Sequence, residues 1–267
     1  MSHQHKKRFG QNFLNNQQII DCIVRAIHPK PTDHMVEIGP GEAALTAPLL
    51  KQVRKLDIIE IDNDLIAPLT QKFGHLPAFH LHHTDALSFD YASLLEAPNE
   101  KVRVVGNLPY NISSPLIFHL LTYAERIQDM HFMLQKEVVD RMTAEPGTKT
   151  YGRLSVMLQY RCQVQFLFKV GPKNFTPPPK VDSAIVRLIP YDTLPYPAEN
   201  AEHFAQLVKA AFAHKRKTLR NNLKGLLTAE QIEAVGIDPG GRAEQLPVAD
   251  FVTLANAYTA YKQQEQT

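Results

Sequence analysis

Met35-Val36-Glu37-Ile38-Gly39-Pro40-Gly41-Glu42 joins a short apolar, β-branched run to a glycine-rich turn, and a helical pattern (Leu45, Leu49, Leu50) follows at once. A strand that runs into a glycine loop and then a helix brings backbone amides and a helix N-terminus close to a ligand. Outward from this point the pattern repeats. Ile58 to Ile61, Phe79 to His83, Val102 to Val105 and Met130 to Leu134 are further strand-like runs. Between the last two, Leu116, Leu120 and Leu121 have helical spacing. Such alternation predicts an α/β domain in which a largely parallel sheet is wrapped by helices through right-handed crossovers. Val164 to Val170 and Ser183 to Ile189 flank a proline-rich loop, which predicts an antiparallel hairpin and a sheet that is mixed at one edge. Pro190, Pro195 and Pro197 then punctuate a linker. Phe204, Leu207, Val208, Ala211 and Phe212 form a helical stripe beyond it. We therefore expect two domains, residues 1–192 and a small helical domain at 193–267.

Composition narrows the class. The 267 residues carry a formal net charge of +2, so the distribution of charge says more than its sum. Cys22 and Cys162 are far apart and belong to no paired zinc or disulfide spacing, which suits a reducing cytoplasm. No apolar stretch is long enough to span a bilayer, and Asn15 to Gln18 interrupt any secretory core, so neither membrane nor export is expected. His80, His82 and His83 lie near one another, but no further Cys or His cluster completes a site, and no metal is expected.

The glycine loop lacks the third glycine of a dinucleotide fingerprint, because Ala43 and Ala44 stand there, which disfavours nicotinamide binding. Glu60, at the end of the second run, can accept hydrogen bonds from both ribose hydroxyls. Asp85, after the third, can accept from an adenine amino group, and Ala86 leaves room for the ring. These positions suit a ribosyl adenine without a pyrophosphate. Asn107-Leu108-Pro109-Tyr110 follows the fourth run, where open α/β sheets place ligands. Asn107 brings a side-chain acceptor, Pro109 a stiff turn and Tyr110 a flat face for a base. A strand-to-loop turn would use the same residue types.

Taken in order, the chain resembles the S-adenosylmethionine-dependent ribosomal RNA adenine dimethyltransferases. Arg8 to Leu14 (RFGQNFL), Glu37 to Gly41, Glu60, Asp85-Ala86, Asn107 to Tyr110 and Phe175 to Ser183 (FTPPPKVDS) carry the resemblance, which covers nearly the whole chain. It implies a Rossmann-like methyltransferase fold with a small C-terminal α-helical domain, and S-adenosylmethionine as methyl donor. It further implies transfer to N6 of two adjacent adenines of small-subunit (16S) rRNA, linked to 30S ribosome biogenesis. Asn12 and Leu14 would close over the cofactor, Gly39 would approach its amino-acid part, Glu60 its ribose, and Asp85 with Ala86 its adenine. Asn107 would face both cofactor and target. Asn107 and the Leu108 carbonyl would accept the two amino hydrogens, and Tyr110 and Phe175 would clamp the extruded base. A hairpin-core role is the alternative reading of Phe175. Ala43 departs from the glycine that many methyltransferases carry.

Lys209, Lys215, Arg216, Lys217, Arg220 and Lys224 fall in a stretch, His203 to Ala229, without a single Asp or Glu. Such a patch can neutralise the phosphates of structured RNA. The expected partner is the small ribosomal subunit or its precursor, met by a monomer in the cytoplasm. Large-subunit RNA methylation and a scaffold role in ribosome assembly are the alternatives, and His3 to Lys6 read as a charged tail.

Overall fold

The computed structural model describes residues 12–264; Arg8 to Gln11 of the first motif and the His3 to Lys6 tail lie outside the described residues. In chain order the elements are β1 (Phe13–Leu14), α1 (Gln17–Ile27), β2 (His34–Ile38), α2 (Thr46–Leu50), β3 (Lys55–Glu60), α3 (Asn63–Phe73), β4 (Phe79–His83), β5 (Val102–Asn107), α4 (Ser113–Leu121) and β6 (Ile127–Gln135). Then come α5 (Lys136–Met142), α6 (Arg153–Arg161), β7 (Cys162–Val170), β8 (Phe175–Thr176), β9 (Ser183–Pro190), α7 (Ala201–Ala211), α8 (Leu219–Asn222), α9 (Ala229–Ala234) and α10 (Val248–Gln264).

Seven strands form one sheet in the order β4-β3-β2-β5-β6-β9-β7. The pairs from β4 through to β6 are parallel, so their carboxyl ends share one edge. β9 runs antiparallel to β6 (Met130↔Leu188 to Gln135↔Ser183), which makes the sheet mixed as the hairpin pattern implies. One face carries Met35, Leu56, Ile58, Val105 and Met133, which cluster with Ile23 and Ile27 of α1, Leu49 of α2, and Leu69 and Phe73 of α3. Val36, Val104, Phe132 and Leu134 point the other way and are equally buried, as are Leu116, Ile117 and Leu120 of α4.

Local chemistry sets the helix ends. The Asn16 side chain accepts from the Gln18 amide (2.9 Å) and starts α1. That helix stops at His28, whose φ of 52° is left-handed, just before Pro29 and Pro31. Asp62 caps α3 through the Asp64 amide (3.1 Å), so the turn after β3 is held where Glu60 ends it.

The chain divides into two compact units, one of residues 1–139 with 165–190, the other of 140–164 with 191–267. The division is not a single cut after residue 192. Tyr151 and the α6 residues Val156 and Tyr160 are apolar, and they bury themselves with Phe204, Val208, Leu219 and Phe251 rather than in the sheet. Tyr160 packs on Phe204 with ring centroids 4.2 Å apart.

Candidate active site

Because β2, β3 and β5 are parallel, the loops after them open at one edge and line a single cavity of about 270 Å³. Gly39 (φ 65°), Gly41 (φ 56°) and Ala43 (φ 70°) give the loop after β2 three left-handed residues. Glycine takes that conformation without penalty; Ala43 pays a steric cost of about 1–2 kcal/mol and keeps the geometry regardless. A Cβ on Gly39 would meet nothing within 4 Å, so open space lies before this backbone. On Gly41 it would come within 2.7 Å of the Phe13 ring, which lies against the loop.

Glu37, Glu60 and Asp85, three of the four carboxylates that line the cavity with Glu42, are held differently. Glu37 is 2 % exposed, and burial, only partly offset by the Thr46 hydroxyl donating to Oε2 (2.7 Å) and reinforced by nearby Glu60, raises its pKa to about 7. Burial also lifts Glu60 above the usual carboxylate range, although its Oε1 accepts from the amides of Ile61 (2.8 Å) and Asp62 (2.7 Å). Both bonds fall on Oε1 and hold the carboxylate in one orientation. Asp85 is exposed at the mouth; its Oδ1 accepts from the Leu87 amide (2.9 Å), and the Tyr91 hydroxyl donates to the Ala86 carbonyl (3.0 Å), fixing the loop. Two oriented carboxylates beside an open glycine turn fit the ribose and adenine of S-adenosylmethionine. The cavity wall also includes Ile61, whose 46 % exposure is unusual for an isoleucine and whose role the sequence pattern hid inside a strand.

The Asn107 motif leaves the end of β5. Gly106 precedes it because a Cβ there would stand 2.7 Å from the Ile38 carbonyl, so β2 and β5 converge under the site. The Leu108 amide donates to the Met133 carbonyl (3.2 Å). Asn107 Nδ2 donates to the Asn12 carbonyl (2.9 Å), which leaves Oδ1 as the acceptor end of the amide. Tyr110 shares a hydrogen bond with Ser183 (3.1 Å), a buried residue at the start of β9 that closes the Phe175 to Ser183 motif and for which the sequence implied no role.

Asn12, Leu14, Gly39, Glu60, Asp85, Ala86, Asn107, Leu108, Pro109 and Tyr110 thus all line one cavity. Phe175 does not. It pairs with Leu14 across β1 and β8, is 3 % exposed and sits in the hydrophobic cluster, so its ring serves the core.

His82 and His34 donate to opposite oxygens of Asp57 (2.6 and 2.5 Å). Burial would raise Asp57, but these bonds and Lys55 hold it well below the usual range. Among the described residues no group of three or more His, Cys, Asp or Glu could hold a metal.

In the second unit, Asn222 Nδ2 donates to the carbonyls of Ala211 (2.8 Å), His214 (3.1 Å) and Lys217 (3.4 Å), gathering the segment between α7 and α8 into a tight loop. Leu219 anchors its end in the core. Lys209, Lys215, Arg216, Lys217, Arg220 and Lys224 are all exposed around it. Among the described residues none of the six makes an ion pair.

The chain matches the family described as ribosomal RNA adenine dimethylase over residues 2–260. It is 70 % identical to the ribosomal RNA small subunit methyltransferase A of Hydrogenovibrio crunogenus over 258 residues, 96 % of this chain and 97 % of the relative. The protein of the same name from Pseudomonas aeruginosa is 58 % identical over 254 residues, 95 % and 94 % of the two chains. Among solved structures, a dimethyladenosine transferase from Plasmodium falciparum superimposes with a TM-score of 0.77 at 28 % identity, covering 91 % of this chain and 95 % of that one. The 23S rRNA methyltransferase ErmE gives 0.73 at 26 % identity, with 93 % and 100 % covered.

Proposed function

The chain belongs to the ribosomal RNA adenine dimethylase family, and from that premise we propose how its own residues carry the reaction. It is an S-adenosylmethionine-dependent rRNA adenine N6-dimethyltransferase that acts on small-subunit rRNA. Two adjacent adenines of 16S rRNA are the proposed targets, met as a monomer in the cytoplasm. No helix among the described residues is long and apolar enough to cross a membrane.

S-adenosylmethionine, when bound, supplies a methyl group activated by its sulfonium. Gly39 would receive its amino-acid part, Glu60 its ribose, and Asp85 with Ala86 its adenine, with Asn12 and Leu14 above. The chemical difficulty lies with the acceptor, because the N6 lone pair of adenine is delocalised into the ring. Asn107 Oδ1 and the Leu108 carbonyl each accept one amino hydrogen, which localises that lone pair and stabilises positive charge growing on nitrogen. Pro109 keeps the two acceptors on a stiff turn. Tyr110 stacks on the unpaired base, a contact worth about 1–3 kcal/mol. The methylated ammonium is acidic and gives its proton to water, so no side chain need act as a strong base. The six exposed cations around the Asn222 loop bind rRNA phosphates.

The observation that carries this reading is the Asn107 Nδ2 bond to the Asn12 carbonyl, which leaves Oδ1 to accept from a target amine. Unmodified small subunits incubated with labelled S-adenosylmethionine should acquire dimethyladenosine, mapped by mass spectrometry to neighbouring positions. Asn107→Ala should abolish transfer while cofactor affinity changes far less. Equal loss of both would remove Asn107 from the chemistry. The two relatives named for the small subunit, at 70 % and 58 % identity, favour that substrate over the large subunit, the substrate class of ErmE at 26 %.

A further inference from the structure

Residues 12–16 form a strap that is tied on both sides. On one side Phe13 and Leu14 pair antiparallel with Thr176 and Phe175, the Asn15 amide donates to the Asn174 carbonyl (3.0 Å), Asn15 Nδ2 donates to the Thr176 hydroxyl (2.6 Å), and Asn16 Nδ2 donates to Asn174 Oδ1 (2.8 Å). On the other, Asn12, Phe13 and Leu14 line the cavity, and the Phe13 ring fills the space before Gly41. The Asn12 carbonyl at the strap's end is the acceptor for Asn107 Nδ2 (2.9 Å). Were the Asn107 amide turned over, its own oxygen would face that carbonyl, two acceptors without a proton between them, and its NH₂ would face the incoming amine.

We propose that the strap is a positioning element for methyl transfer: by closing on the cavity it presents the Asn12 carbonyl, and that carbonyl holds Asn107 in the one amide orientation that can accept a hydrogen from the target nitrogen. An open strap leaves Asn107 free to turn, so the acceptor is assembled only when the cofactor side of the cavity is covered. The inference rests on the role given to Asn107 above. It assigns the Asn15–Thr176 and Asn16–Asn174 bonds a part in turnover, although none of the four residues is among those that line the cavity.

The test combines strap loosening with a change at the residue it orients. Asn15→Ala with Thr176→Val removes one clip at an exposed site and preserves the bulk of the threonine. Hydrogen exchange at the Phe13 and Leu14 amides reports how far the strap loosens. In the Asn107 background this double substitution should lower kcat on unmodified small subunits about three- to tenfold, the effect of one orienting hydrogen bond. Asn107→Asp keeps an acceptor but has no N–H for the Asn12 carbonyl. In that slower background the same strap substitutions should leave kcat within about twofold. Equal fold-losses in both backgrounds, or no loss in the Asn107 background once exchange shows a loosened strap, would overturn the inference. Full kcat in Asn107→Ala would instead overturn the underlying role of Asn107. Affinity for S-adenosylhomocysteine, measured by calorimetry on each variant, separates weakened cofactor binding from slowed transfer.

Discussion

Replacing Glu37 by glutamine should stabilise the ligand-free protein at pH 8 and do almost nothing at pH 4. Glu37 is buried beside a second carboxylate, and its pKa rises from 4.5 to about 7 because burial and Glu60 outweigh the Thr46 hydrogen bond. A folded-state pKa above the unfolded one means that the stability due to the protonated acid is fully present below pH 4.5 and is lost as pH rises through 7. The whole displacement corresponds to about 3 kcal/mol, nearly all of it developed between pH 4.5 and 8. The substituted amide keeps a carbonyl for the Thr46 hydroxyl and never ionises, so the Glu37→Gln protein escapes the loss. Urea unfolding of both proteins at pH 4.5, 6 and 8, without cofactor, should give a difference that grows from a few tenths to about 3 kcal/mol. A difference that is the same at all three values would refute the raised pKa of the buried Glu37.

Ser183→Ala should loosen the Tyr110 ring by removing its hydroxyl partner, lowering kcat/KM for rRNA by about 1 kcal/mol, or fivefold, with cofactor affinity unchanged; Tyr110→Phe should add little to it. Arg103→Ala should cost about 3–5 kcal/mol in denaturant unfolding, because it takes the two-bond partner from buried Asp129, the ion-pair partner from Asp33 and a donor from the carbonyls of Ile27 and His28. His131 is buried with neither ring nitrogen hydrogen-bonded, and burial, opposed by Asp129 and joined by Arg103 and Arg187, lowers its pKa to about 4. Its neutral form therefore supports folding above pH 6.5 and that support is lost as pH falls toward 4, so the stability gained by His131→Leu over the parent should widen across that window. Arg216→Ala and Lys217→Ala, scored by rRNA binding at several salt concentrations, should each flatten the salt slope by about one ion.

The strands were legible because their short apolar patterns, bounded by turn residues, are local. Phe79 to His83 is found unchanged, and the Met35 run gains only His34. Ile61 reads as the end of such a run, yet the strand stops at Glu60, whose carboxylate takes the next two amides and pulls the chain into a turn. Eight of the ten cavity positions were legible through their order along the sequence, since parallel strands bring successive loops to one edge; Asn12 and Leu14 came from the family resemblance alone. What the sequence does not reveal are pairings made at long separation. Phe175 reads from sequence as a clamp, with a core role as the alternative, until β1 arrives beside it and Leu14 pairs with it. Residues 140–164 lie in sequence between strands, but Tyr160 finds Phe204. The left-handed turn at Ala43 runs against its own side-chain preference, so no local rule could have placed it.

The insertion of β9 beside β6 has a consequence for the order in which the protein can be made. Until residue 183 has been synthesised, β6 has β5 on one side and an unpaired row of amides and carbonyls on the other, with Phe132 and Leu134 among its side chains. Such an edge is a template for pairing with other chains. Every nascent chain long enough to form the catalytic strand but too short to reach Ser183 passes through this state. The vulnerable window of biosynthesis therefore opens after the Asn107 to Tyr110 motif is complete, and translational pausing within residues 136–182 should raise aggregation more than pausing beyond residue 190.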